Sequence, residues 1–71
     1  MIESAEQLRA RNKLEQCRRL IEQCGSYYNT TKDDIYLRIA REAEQDVVYW
    51  QARQNGRTHD ESSIMAYGKV K

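Results

Sequence analysis

The chain has 71 residues, with 12 basic and 11 acidic side chains, so its formal charge is +1 and no bulk attraction to a polyanion is built in. Only 39% of it is apolar, with no Pro, no Phe and three Gly. That composition excludes collagen-like and Pro/Gly-rich low-complexity chains. No apolar run approaches the roughly 20 residues that a bilayer requires.

The acidic opening Met1-Ile2-Glu3-Ser4-Ala5-Glu6, with no apolar stretch behind it, lacks the pattern of a secretory leader. A cytoplasmic protein is therefore expected, with Cys17 and Cys24 as reduced thiols. Seven residues apart on one helix, those cysteines would sit about 10.5 Å from each other, beyond the roughly 7 Å a disulfide tolerates. A chain this short rarely builds a core worth more than about 3–5 kcal/mol without disulfides, a metal or a partner. With the first two excluded, association is the expected source of stability.

The first element starts at Ser4. Ser4 and Gln7 have capping-box spacing, in which the hydroxyl accepts the Gln7 N–H and the Gln7 side chain reaches back. Ala10, Leu14, Cys17, Ile21 and Cys24 then recur at spacings of 4, 3, 4 and 3, an α-helical stripe. Leu20 widens it on one flank. Gly25 is the expected left-handed terminator, which sets the helix at about residues 4–26, with Tyr27 and Tyr28 extending its apolar flank should it run on.

Asn29-Thr30-Thr31 reads as a turn. A second helix is expected over about residues 31–54, with Thr31 as N-cap and Asp33 and Asp34 in the first turn, where the helix dipole favours negative charge. Tyr36, Ala40, Ala43, Val47 and Trp50 repeat at 4, 3, 4 and 3, with Ile39 at one edge and Leu37 and Val48 on a second flank. Gln54-Asn55-Gly56 should end it. The apolar arc of this helix is wider than one intramolecular neighbour covers, so a symmetric mate or a partner helix is expected to shield the remainder.

Residues 1–57 thus form a helical hairpin, and residues 58–71 a short helix or a tail. Thr58 and Glu61 again have capping-box spacing, Ile64 and Tyr67 should share a face with Met65 beside them, and Gly68 should terminate. The fold class expected is all-α: an antiparallel two-helix hairpin with a short C-terminal helix, assembling as a homodimeric four-helix bundle.

Catalytic and metal chemistry find little support. Both cysteines fall on the apolar stripe, where buried thiols are inert. His59 has no companion ligands at useful spacing and no residue to orient it as a base, so a surface histidine near a helix start is expected. Glu42, Glu44 and Asp46 alternate along the second helix, and Glu42 and Asp46 share a face as an acid pair would. Ion pairing with Arg38 and Arg41 on a solvated face accounts for them equally well. The Ser-x-x-x-Asp pattern of small two-helix response-regulator phosphatases is not met, because Glu42 stands four residues before Asp46. The three glycines stand alone, so no phosphate-cradling loop is present. A helix-turn-helix with Gly25 at its turn would have to bury Ser26, Thr31 and Asp34.

Arg9, Arg11, Arg18 and Arg19 fall on the outer arc of the first helix and make a nucleic-acid interface the second reading, although Glu15 and Glu22 interrupt them. The first reading is a non-enzymatic adaptor, inhibitor or co-chaperone-like regulator, of a size common among bacterial and phage regulators. It needs no cofactor and no membrane. Its partner is a second copy or another protein's helix, met through Leu37, Val48, Tyr49, Trp50, Ile64 and Tyr67. Five tyrosines and one tryptophan without phenylalanine suit that role, since each carries a polar tip at a half-buried site.

Overall fold

The computed structural model describes residues 3–70, which form three helices: α1 (Ala5–Thr31), α2 (Asp34–Gln54) and α3 (His59–Tyr67). The Ser4 capping box forms as its spacing predicts, with reciprocal hydrogen bonds of 3.1 Å between Ser4 and Gln7. Ala10 and Leu14 are buried, Cys17 and Ile21 half-buried and Cys24 buried, so the 4-3-4-3 stripe is the face that α1 turns to α2.

The predicted end of α1 is corrected. The helix passes through Gly25 and runs to Thr31, and the left-handed residue is Lys32, at φ 57°, whose N–H reaches the Tyr28 carbonyl at 2.7 Å. A lone glycine costs a helix only about 1 kcal/mol. Against that cost, the added turn makes Tyr28 half-buried and stacks Tyr27 on Tyr36 with ring centroids 5.5 Å apart. Thr30 and Thr31 stay helical, each hydroxyl donating to the carbonyl four residues back.

The start of α2 moves accordingly. Asp33, not Thr31, is its N-cap, accepting the Ile35 N–H at 3.1 Å. The hairpin therefore turns on Lys32 and Asp33 alone. At its other end α2 stops at Gln54, and Gly56 supplies the positive φ of 90°.

The C-terminal segment is an ordered helix. Thr58 caps α3 by accepting the Glu61 N–H at 3.2 Å, and Gly68 ends it at φ 77°. Its docking face differs from the predicted one. Ser62 and Ser63 are fully buried, while Ile64 and Met65 stand more than half exposed. The cause lies on α2, where Ala52 is also buried. Ala43 and Ala52 are nine residues apart, about 180° around a helix that turns about 100° per residue. Thus α1 covers one side of α2, and α3 covers another that runs from Ala52 through Tyr49 to Asp46, approaching with small side chains so that the helices lie close.

That arrangement is a single layer. The Cα trace measures 43 × 27 × 12 Å, and α1 and α3 each pack on α2 and not on each other. The radius of gyration is 13.7 Å, against about 11 Å for a compact chain of this length. Among the described residues the buried apolar side chains are Ala10, Leu14, Cys24, Ala43 and Ala52, most of them small. No described helix is long and apolar enough to cross a membrane.

Candidate partner-binding surface

Domains gain stability by packing a second layer onto the first. Here the chain supplies one layer, and both broad sides of it face solvent. The accessible surface is 5,486 Å². A compact monomer of 8.4 kDa exposes about 4,600 Å². The excess, about 900 Å², is close to the roughly 800 Å² that one partner contributes to a standard protein interface.

On one side of the layer lie Leu37 and Val48, 45% and 42% exposed. The flank of α2 expected to outreach the hairpin does so in the single chain. The two residues are nevertheless about 16 Å apart along the helix, with Arg41 and Glu44 between them on the same side. Asp34, Leu37, Arg38 and Arg41 frame a shallow, open hollow there.

The opposite side carries a more continuous apolar line that the sequence reading passed over. On α1, Cys17, Leu20, Cys24 and Tyr27 follow at 3, 4 and 3; on α2, Ile35 and Ile39 are one turn apart. Glu6 and Arg53 continue the same two lines at the other end of the hairpin, and their ion pair, 3.6 Å, shows that both lines lie on one side of the layer. Leu20, Tyr27 and Ile35 are well exposed and Ile39 is half-buried. Leu20 and Ile39 had registered only as edges of the core stripes. Their partnership across the hairpin depends on the antiparallel pairing level, which single-helix periodicity does not contain.

Tyr49, Trp50 and Tyr67 are brought together, largely for internal use. The Tyr49 ring meets Trp50 edge-on at 4.8 Å and His59 at 5.6 Å, and stacks on Tyr67 at 6.1 Å. The Tyr49 hydroxyl and His59 Nδ1 share a hydrogen bond of 2.7 Å, so the exposed His59 helps to fasten α3 to α2. The Tyr67 hydroxyl donates to the Asp46 carboxylate, and both side chains are half-buried. Burial first, and then that hydrogen bond and the nearby carboxylate charge, push the Tyr67 phenol well above its ordinary range. Ile64 is not part of this cluster.

Burial also raises the Cys17 thiol, Asp46 adds to the effect, and Lys13 opposes it in part. The thiol is held in its protonated, unreactive form. Asp46 thus serves Tyr67, while Glu42, the other half of the acid pair, is exposed one turn away. No group of three or more His, Cys, Asp or Glu among the described residues could hold a metal ion.

The four arginines of α1 are all exposed, but they do not form one patch. Arg9 and Arg18 are nine residues apart and project from opposite sides of the helix. Arg11 pairs with Glu3 at 3.2 Å and Arg19 with Glu15 at 2.8 Å. The reading of a single basic arc gives way to dispersed guanidinium groups, two of them already neutralised within the chain.

Comparison with known proteins finds no matching family model, no matching curated protein and no matching solved structure.

Proposed function

We propose that this chain is a small non-enzymatic protein–protein interaction module, an adaptor or inhibitor that presents the side of a helical layer to a partner. The partner is a second copy, giving a dimeric four-helix bundle, or an amphipathic helix of another protein. The observation that carries this reading is the single-layer architecture, with about 900 Å² more surface than a compact chain of its mass. Exposed Leu37, Val48, Leu20 and Ile35 show that part of the surplus is apolar. A reducing, cytoplasmic setting fits Cys17 and Cys24, which are both free.

A nucleic-acid role is supported less well, because Arg11 and Arg19 are paired to Glu3 and Glu15 and because Arg9 and Arg18 point apart. Binding to duplex DNA or RNA that weakens steeply with salt and falls with Arg11→Ala plus Arg18→Ala would favour it instead.

Two readouts test the module reading: mass in solution by light scattering, and capture of a partner by the tagged chain. Self-association or a stoichiometric protein complex is expected, and a glutamate at Leu37, Val48, Leu20 or Ile35 should weaken it by removing apolar contact and burying a charge. A fully helical chain that stays monomeric, captures nothing and is indifferent to all four substitutions would contradict the reading.

A further inference from the structure

We propose that α3 is a releasable latch on the hairpin: it lets go of α2 as a unit while α1 and α2 stay paired, and so uncovers the face of α2 that carries Asp46, Tyr49 and Ala52. Release adds this face to the surface offered to a partner, a consequence that rests on the interaction-module reading.

Helix α3 packs on α2 and not on α1, so the hairpin keeps its own contacts when α3 leaves. The hold of α3 has little apolar content. Ser62 and Ser63 are its buried side chains, while Ile64 and Met65, which have most to gain from burial, are 55% and 54% exposed. The Ser63 hydroxyl finds no partner among the described residues, which weakens the docked state further. Directional bonds near the two ends of the helix fasten it instead. His59 shares a hydrogen bond of 2.7 Å with Tyr49, and Tyr67 donates to Asp46 and stacks on Tyr49. Such hydrogen bonds exchange for water on opening, so each adds only modestly to stability. Residues 55–58, which join α2 to α3, are all exposed, and Gly56 among them sits at φ 90°, so the connection can hinge without moving a buried side chain. A nine-residue helix does not hold by itself in water, so α3 unravels as it leaves. A segment with few buried apolar contacts and an exposed connection opens at lower free energy than the whole fold.

Native-state hydrogen exchange of the whole chain, followed amide by amide by NMR, tests the latch. The α3 amides from Ser62 to Tyr67 should exchange at least about tenfold faster than the slowest amides of α1 and α2, and urea below the unfolding transition should change the α3 rates little. Gly25→Ala separates release from global unfolding. It strengthens α1, on which α3 does not pack, so the slowest hairpin amides should exchange about fivefold more slowly while the α3 rates stay the same. Tyr67→Phe removes the bond to Asp46 and should speed α3 exchange about tenfold, and Ser63→Ala should slow it about fivefold. If the α3 amides are as slow as the slowest in the hairpin, or slow down with them in Gly25→Ala, α3 opens only when the whole chain unfolds and the latch is overturned. Indifference of the α3 rates to Tyr67→Phe overturns it as well. Each of these failures leaves the module reading standing, since mass in solution and partner capture decide that reading separately.

Discussion

Ser63 is the residue whose position departs furthest from its chemistry. It is fully buried and its hydroxyl finds no hydrogen-bond partner among the described residues, whereas the neighbouring Ser62 hydroxyl donates to the Thr58 carbonyl at 2.7 Å. An unsatisfied buried hydroxyl costs roughly 1–3 kcal/mol. Ser63→Ala keeps the close approach of α3 to α2 and removes that cost, so urea unfolding should show a gain of about 1 kcal/mol. Ser63→Leu should instead lever α3 away. Polar residues do not announce a docking face; Ser62 and Ser63 are buried as the small side chains of the helix that packs on α2, and nine residues are too few to show that by periodicity.

Tyr67 gives the residue-scale prediction for pH. Its phenol is raised above the ordinary value of 10.0 in the folded chain. The folded state therefore holds its proton more tightly than the unfolded one, and the stabilisation is complete below pH 10 and lost as pH rises through the folded value. Alkaline titration followed by tyrosinate absorbance should show one late-ionising tyrosine, with α3 released as it ionises. In Tyr67→Phe the pH-dependent loss of α3 should be diminished, and an unchanged alkaline transition would detach it from this residue.

At the scale of the elements, most of the hairpin was legible from caps and repeats. Ser4 with Gln7 and Thr58 with Glu61 placed two helix starts, and the 4-3-4-3 spacings placed the faces along which α1 and α2 meet. The junction was not legible. Gly25 looks like a terminator because glycine adopts positive φ freely, while the residue that does so is Lys32, and a lysine in the left-handed region leaves no mark in the sequence. The two assignments make opposite predictions for Gly25→Ala. In mid-helix, with nothing within 4 Å of the added methyl group, alanine should stabilise the protein by about 1 kcal/mol, measured as a higher urea midpoint. A left-handed Gly25 would give a loss of similar size.

The same limit applies to the candidate surface. Leu37 and Val48 could be read as exposed from α2 alone, because a helix wheel shows which residues outrun one neighbour. Leu20, Tyr27, Ile35 and Ile39 form a line only once the pairing level of the hairpin is known, which Tyr27 on Tyr36 and Gln7 against the Gln54 carbonyl establish at its two ends. Tyr49 and Tyr67 sit at partner-binding positions by composition, yet much of their surface goes to holding α3.

For the whole molecule the decisive feature is that α1 and α3 each pack on α2 and not on each other. Helices so arranged leave broad sides uncovered, and the buried apolar set is too small to carry a domain by itself. Whatever covers one side then contributes directly to stability, so folding and association are linked by mass action. The most direct measurement of that linkage is the melting temperature by circular dichroism over a wide range of protein concentration. If a second copy supplies the missing layer, Tm rises steadily with concentration and the rise is reduced by a glutamate at Leu37, Val48, Leu20 or Ile35 on the covered side. A sharp transition at one temperature across the whole range, from a fully helical chain of single-copy mass, would show that the layer stands alone.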